Sequence, residues 1–535
     1  MKRIIRQSIT LILLIITIIV FICYLYIRNR VKFNDLLINQ DEYDYIISNR
    51  KKYNGEFIDK IIFNNNPLFD VSDTNEYFYS MVEKDNNKYN PFIKYNSDNN
   101  LKISILDNKI TDELIANNDH IKLLAYNDEY YKEYEIIVTT LPIMNISYED
   151  NEENNDKLNL EVFQLRDENL DSTVDGLFYL FDNSNNTVQN NKISFHVRGG
   201  MSTMYAKKGL KLSLKDDTGK KIDKKLLNMR EDDDWILQAD YSDQDMVRNE
   251  FASRLWYDLF SNRNQFGIKA GNYYKYVELF MNGKYHGLYS LGFPIDEKQL
   301  NITGDGLIYK KFSYFDEKTE LSLDNNGITI AYELKNKNAS NESFDYLKKF
   351  FYNLVNAYTS SDIYDSIDKE NIYNYYIFSN FIQHVDNSKN LIIANKYNDD
   401  KLIFFYIPWD MDMILGNIWD ADSKNQIAQY KVDYNDNGTI VRSTPVEYLY
   451  NLDYDDTINN IKNYYQKMID NNFTKDYINK IIDEYENDIF KSGAYNRNIK
   501  NWPSGNQSSS ISDLTKFKEY VNNRYDSFYK YISSL

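Results

Sequence analysis

The stretch that most constrains this chain is residues 376–417, YIFSNFIQHVDNSKNLIIANKYNDDKLIFFYIPWDMDMILGN. Tyr373, Tyr376, Ile377, Asn380 and Phe381 keep helical spacing, and the helix breaks at His384-Val385-Asp386, where Asn387 and Ser388 favour a loop. Two β-like runs follow, residues 391–397 and 402–407, joined by the turn-rich Asn398-Asp399-Asp400. A hairpin returns its second strand to where its first began. Asp386 and Asn390 at its start should therefore lie near Asp410 and Asp412 at its end, so that three carboxylates and an amide share one site.

Oxygen ligands converging in this way suit Mg2+, which takes one or two carboxylates and completes its octahedron with water and phosphate oxygens. Without a cation the carboxylates would raise one another's pKa. The order Asp, Asn, hairpin, Asp resembles that of a protein-kinase lobe, where the first Asp accepts the substrate hydroxyl proton and the later groups hold metal. Two departures stand out. Three residues rather than four separate Asp386 from Asn390, and Trp409-Asp410-Met411-Asp412 replaces Asp-Phe-Gly. The alternative reading is a hairpin with acidic ends in a chain rich in Asp and Asn.

The 535 residues suffice for several domains, with 49 tyrosines and 29 phenylalanines available for the core. A net charge of −18 argues against a nucleic-acid partner, whose phosphates would be repelled. The single cysteine, Cys23, lies in an apolar run, which excludes intrachain disulfides and cysteine zinc sites. His120, His196, His286 and His384 show no His-x-x-x-His spacing, so a zinc enzyme is not expected. Residues 8–27 form an uncharged run long enough to span a bilayer as a helix, flanked by Lys2, Arg3, Arg6, Arg28, Arg30 and Lys32. No small-residue cleavage site follows, so a retained signal-anchor is expected.

The expected organisation is a short cytoplasmic N-terminus (1–7), a transmembrane anchor (8–27), a membrane-proximal region with a small β-rich module (28–139), a β-rich lobe (140–310) and a helical lobe (311–535). Helices are expected at 36–47, from near Asp243, and at 344–358, 456–470, 473–488 and 514–532, with a polar connection at 492–510 whose serines are candidates for autophosphorylation. In 193–214, a strand leads into Gly199-Gly200-Met201-Ser202-Thr203 and then into a strand with Lys207, Lys208 and Lys211. Such a loop lets backbone approach phosphate, with Arg198 or a lysine neutralising it; an ordinary hairpin with solvated lysines is the competing reading. Asn282-Gly283 between alternating strands signals a type I′ hairpin, and Glu278 reads equally well as an exposed strand residue paired with Lys275 or Lys284. Trp409 and Pro408 read as packing residues, and His384 as a core histidine that orients its loop.

Four ordered blocks carry a family resemblance: Arg198-Gly199-Gly200-Met201-Ser202 with Lys207-Lys208, then Asp245 to Asn249, then Val277 to Tyr289, then Asp386 to Asn390 with Pro408 to Asp412 and Gly416. Over roughly 140–430 the chain resembles the CotH kinase family of spore-coat protein H type. The resemblance implies an α+β, atypical two-lobed protein-kinase-like fold that binds ATP and Mg2+ and phosphorylates serines of exported, spore-coat or cell-surface proteins. It further implies Asp386 as catalytic base, Asp410 as principal metal ligand with Asn390 and Asp412 assisting, and a nucleotide site of Arg198, Gly199, Gly200, Ser202, Lys208 or Lys211, with Arg248 bracing the site. One departure is Ser290 to Asp296, SLGFPID, where the family commonly places an acid before Ile-Asp. That departure keeps a second function open, a pseudokinase-like surface or spore-coat binding protein; a third is an envelope protein whose acids bind Ca2+.

Overall fold

The computed structural model describes residues 31–535 apart from 59, 97–100, 159–171, 303, 305, 315, 323–330, 337–339, 419–426, 429–443 and 504–510. The apolar span at 8–27 and the serines at 504–510 lie outside the described residues. Among the described residues no helix is long and apolar enough to cross a membrane.

The fold is mixed α+β. A first module pairs Val31–Lys32, Lys60–Phe63, Asn66–Pro67 and Phe92–Asn96 in one sheet, while Lys102–Leu106, Ile121–Tyr126, Tyr130–Thr139 and Glu76–Ser80 form most of another. Phe33, Ile61, Phe63, Ile105, Leu123 and Ile136 fill the space between them. The helix expected at 36–47 runs over Gln40–Ser48, where Asn39 and Glu42 form a capping box.

Seven strands then close a barrel: β1 (Ile143–Tyr148), β2 (Val174–Asp182), β3 (Thr187–Arg198), β4 (Gly209–Lys215), β5 (Asp234–Gln238), β6 (Tyr274–Met281) and β7 (Lys284–Gly292). Its order is β1-β2-β3-β4-β5-β7-β6, and the parallel pairing of β1 with β6, Ile143 opposite Glu278, closes the ring. Alternation decides which side chains enter: Ile193, Phe195, Val197, Leu210, Leu212 and Leu214 point inward, which leaves Arg198 and Lys211 on the outer face. Asn282 and Gly283 adopt φ of 50° and 75°, the left-handed pair a type I′ turn requires.

Against the barrel lies a four-stranded sheet of β8 (Leu307–Lys311), β9 (Tyr332–Leu334), β10 (Leu391–Asn398) and β11 (Lys401–Pro408), in the order β9-β8-β10-β11. Ile236 and Tyr274 of the barrel pack on Ile308, Ile392, Phe405, Ile407 and Trp409 of the sheet. The largest core joins helices α1 (Arg248–Leu259), α2 (Phe344–Val355), α3 (Lys369–Phe381), α4 (Tyr454–Asp470), α5 (Lys475–Glu486) and α7 (Thr515–Ser534) to this unit. Part of the expected polar connection at 492–510 is instead helix α6 (Ala494–Asn501), with Ser492, Arg497 and Asn498 buried. Its polar residues face inward because partners await them there. Arg497 donates to the fully buried Glu278, which also accepts from Thr139 Oγ1 at 2.9 Å and Tyr285 Oη at 2.7 Å. Glu278 is therefore no exposed strand residue, and neither Lys275 nor Lys284 is its partner.

Candidate active site

The hairpin of β10 and β11 pairs Leu391 with Pro408 and Asn398 with Lys401, so the residues just outside it meet. Asn390 Nδ2 donates to the Asp410 carbonyl at 3.4 Å, and His384 Nε2 lies 3.3 Å from the Trp409 carbonyl. His384 is completely buried, and burial pushes its pKa down to about 4. The imidazole is thus a neutral positioning group. The Asp386 carbonyl accepts the N–H groups of Lys389 at 2.9 Å and Asn390 at 2.8 Å, which closes the loop on itself.

Distant elements hold both halves. Asn249 Oδ1 on α1 accepts the Met411 N–H at 3.2 Å, and Ser242, in the turn before α1, donates its Oγ–H to Asp412 Oδ2 at 2.9 Å. Buried Asp243 caps the helix start by accepting the N–H groups of Val247 at 2.9 Å and Arg248 at 2.8 Å. From α7, fully buried Arg524 donates to the Phe381 carbonyl at 2.9 Å and to the Asn380 carbonyl, capping the C-terminal end of α3 just ahead of Asp386. Among the described residues, four with positive φ are neither Gly, Asn nor Asp. Three of them, Met246, Gln383 and Leu415, sit beside these loops, and Asp410 itself has φ 56°.

The electrostatics follow from this crowding. Burial raises the Asp386 pKa, Lys389 opposes that rise and Asp410 adds to it. Burial and then Asp410, with smaller contributions from Asp243 and Asp386, push Asp412 up to about 8. Tyr205, which follows the Gly199-Gly200 loop, is half-buried; burial raises its pKa, and Asp412 and Asp410 add to the rise. Two cations flank the same indole: Arg198 Cζ stands 5.8 Å and Lys310 Nζ 5.6 Å from the Trp409 ring centroid. Desolvation and then the nearby Lys335 and Arg198 lower the Lys310 pKa. Arg198 beside the glycine loop, and Lys310, thus stand at the indole that directly precedes the acidic Asp410.

The model of the CotH kinase protein family matches residues 195–528. The chain belongs to the CotH family. No curated protein matches it. The match begins within β3 and runs into α7, so the C-terminal helices belong to the family region, which the resemblance over 140–430 did not include.

Within the CotH region the structure rearranges the expected cations. Lys208 is buried and donates to the Thr203 carbonyl at 2.6 Å, so it pins the glycine loop from beneath. Lys211 lies 3.1 Å from Asp234 Oδ2 on the outer barrel face. Arg248 is fully buried, pairs with Asp243 and lies 2.5 Å from Asp245 Oδ2, which makes it a brace of the α1 start. Arg198, Gly199, Gly200 and Ser202 stay on the open side. Gly199 has φ 124°, and a Cβ there would stand 2.1 Å from Ser202 Oγ, so the tight turn requires glycine. Lys310 reads from sequence as an ordinary strand residue and Lys389 as an ordinary loop lysine.

Beneath the cleft, Lys207 is buried and donates to the Ala239 carbonyl at 2.6 Å, with Asp240 and Glu250 as its charged neighbours. Burial pushes Lys207 down to about 7 and Glu250 up to about 7. Ser290 Oγ donates to Glu250 Oε1 at 2.5 Å, and Gly292, in the SLGFPID departure, is packed under Tyr274, whose Cδ1 a Cβ would meet at 2.3 Å. The departure thus serves packing here.

The acidic donors fit a hard divalent cation. Asp410 is exposed, Asp412 is half-buried with its pKa raised, and a cation would take the place of the Asp412 proton. Asp386, Asp410 and Asp412 do not bring three carboxylate oxygens within 4.8 Å of one another, so the metal would be held by one or two of them. Asn390 uses its Nδ2 on the Asp410 backbone and keeps Oδ1 for such a role.

Proposed function

We propose that this CotH-family protein transfers the γ-phosphate of ATP to serine hydroxyls of exported, spore-coat or cell-surface proteins, from a domain tethered to the cell membrane by residues 8–27 and lying outside the cytoplasm. What supports the reading is the hydrogen bond of Asn390 to Asp410 beside Trp409, with Arg198 and Lys310 at that indole and Asp386 and Asp412 as charged neighbours of Asp410. Asp386 accepts the serine proton as the serine oxygen bonds to the γ-phosphorus and the bond to the ADP oxygen breaks. Its raised pKa makes it a better base than an ordinary exposed Asp, while Lys389 keeps it ionised. Asp410 and Asp412, with Asn390, would hold Mg2+, which when bound neutralises charge on the phosphates. Arg198, Lys310 and the backbone of Gly199 and Gly200 orient the phosphates, and positioning with charge neutralisation supplies most of the rate.

The test is transfer of γ-phosphate from ATP with Mg2+ to a serine-rich acceptor, beside folded Asp386→Ala and Asp410→Ala proteins. Incorporation abolished by both substitutions supports the reading. Absence of transfer, together with no thermal shift on adding Mg2+ and ATP, favours the pseudokinase-like binding protein. A shift with Ca2+ and none with nucleotide favours the envelope protein.

A further inference from the structure

We propose that the N-terminal module carries a second metal site, formed by Glu76, His120 and Glu135, for a divalent transition-metal ion of the zinc class. The three ligand atoms lie within 4.8 Å of one another, and His120 Nδ1 is 2.5 Å from Glu135 Oε2. They come from three neighbouring segments of one sheet. Glu76–Ser80 runs parallel to Tyr130–Thr139 with Glu76 directly paired to Glu135, and Ile121–Tyr126, which begins just after His120, pairs along the other edge.

The register is what makes the cluster a site. Two carboxylates held opposite each other on adjacent strands repel, and backbone pairing prevents them from moving apart. Among the described residues Glu76 forms no ion pair, and Lys122, opposite Glu135 across the antiparallel ladder, forms none with it either. An imidazole brings at most one positive charge to two negative ones. A divalent ion supplies what is missing. One nitrogen with two carboxylate oxygens is the donor set of zinc-class ions, whereas Mg2+ and Ca2+ prefer oxygen alone. The side chains of His120 and Glu135 remain 24% and 42% exposed, so they can rotate to the roughly 3 Å ligand separation such ions need, and a further coordination position faces solvent. The Asp223, Asp232 and Asp233 group differs, because Lys298 already lies 3.3 Å from Asp232 and 3.0 Å from Asp233 and also pairs with Asp223.

The sequence could not show this site. Its three ligands are spread over 60 residues, and their proximity is a product of sheet order.

Calorimetric titration of Zn2+ into the full-length protein, with excess Mg2+ present to saturate the acidic cleft, tests the proposal. One equivalent of zinc should bind, with affinity at least tenfold lower in His120→Ala and in Glu76→Gln and unchanged in Asp410→Asn. In a thermal melt without metal, Glu76→Gln should raise the midpoint by removing the repulsion, and should abolish the rise that zinc gives the wild type. Absence of zinc binding by the wild type, or affinity falling less than tenfold in both His120→Ala and Glu76→Gln, would overturn it.

Discussion

Glu278 and Asp412 are both carboxylates drawn away from solvent, and the protein treats them in opposite ways. Glu278 receives Arg497, Thr139 and Tyr285, one from α6, one from the end of the first module and one from β7. Asp412 receives one hydroxyl, from Ser242, and its charged neighbours Asp410, Asp243 and Asp386 are all acids. The first arrangement compensates a charge completely and ties three parts of the chain together. The second leaves the acidic neighbours of Asp412 uncompensated. Arg248 with Asp243 and Asp245 belongs with the first kind, a buried brace whose charge is met by its neighbours.

The contrast is open to direct attack. Removing the base should have the largest effect on rate: Asp386→Ala should lower phosphoryl transfer by about a hundred- to ten-thousand-fold, and Asp410→Asn, which tolerates the left-handed backbone, by about a hundred- to thousand-fold. Neither should lower the melting temperature, because both remove charge from an acidic cluster; a fall in melting temperature that matched the loss of rate would erase the distinction. Arg497→Ala should do the reverse and destabilise by about 3–5 kcal/mol in urea titration, because it strands a buried carboxylate. The double change Arg497→Met with Glu278→Met should recover much of that loss.

Smaller effects sharpen the comparison. Lys310→Ala should raise KM for ATP about tenfold by removing one charge-assisted contact, while Lys208→Ala, which unpins the glycine loop, should lower kcat and thermal stability together. The last concerns Asp412. Its folded-state pKa is pushed up to about 8, against about 4 for an unfolded Asp. The folded state therefore keeps a proton that the unfolded chain releases. The stability this proton confers is fully present below pH 4 and is lost as pH rises through 8. In metal-free protein, Asp412→Asn should flatten the decline in melting temperature between pH 5 and 9, and Mg2+ should do the same for the wild type. An unchanged decline in both would show that Asp412 lies in no electrostatic contest.

Much of the acidic site could be read from residue order. Residues 391–408 form a hairpin because apolar strands flank Asn398-Asp399-Asp400, and a hairpin alone brings Asn390 to Asp410. The Asn282-Gly283 turn was legible for the same reason, since a left-handed pair is a local demand. The cations were not. Lys208 and Lys211 follow the glycine loop closely in sequence, but one turns under it and the other pairs with Asp234 of the neighbouring strand, while Lys310 arrives from another sheet. Glu278 was ambiguous because its partner is 219 residues away. Arg524 gave no signal at all: an arginine in an amphipathic helix looks like any solvated one until α7 lies across the end of α3.

Local periodicity and turn chemistry, which depend on neighbours within a few residues, thus settled from sequence that the chain mixes strands and helices and that one hairpin brings Asn390 to Asp410. Tertiary structure alone decided the closure of the barrel, the identity of the cations that face the cleft and those that are buried, and the pairing of Glu76 with Glu135. Each of these rests on contacts between segments tens to hundreds of residues apart, where burial and the partner's charge, neither carried by the local sequence, determine what a side chain does.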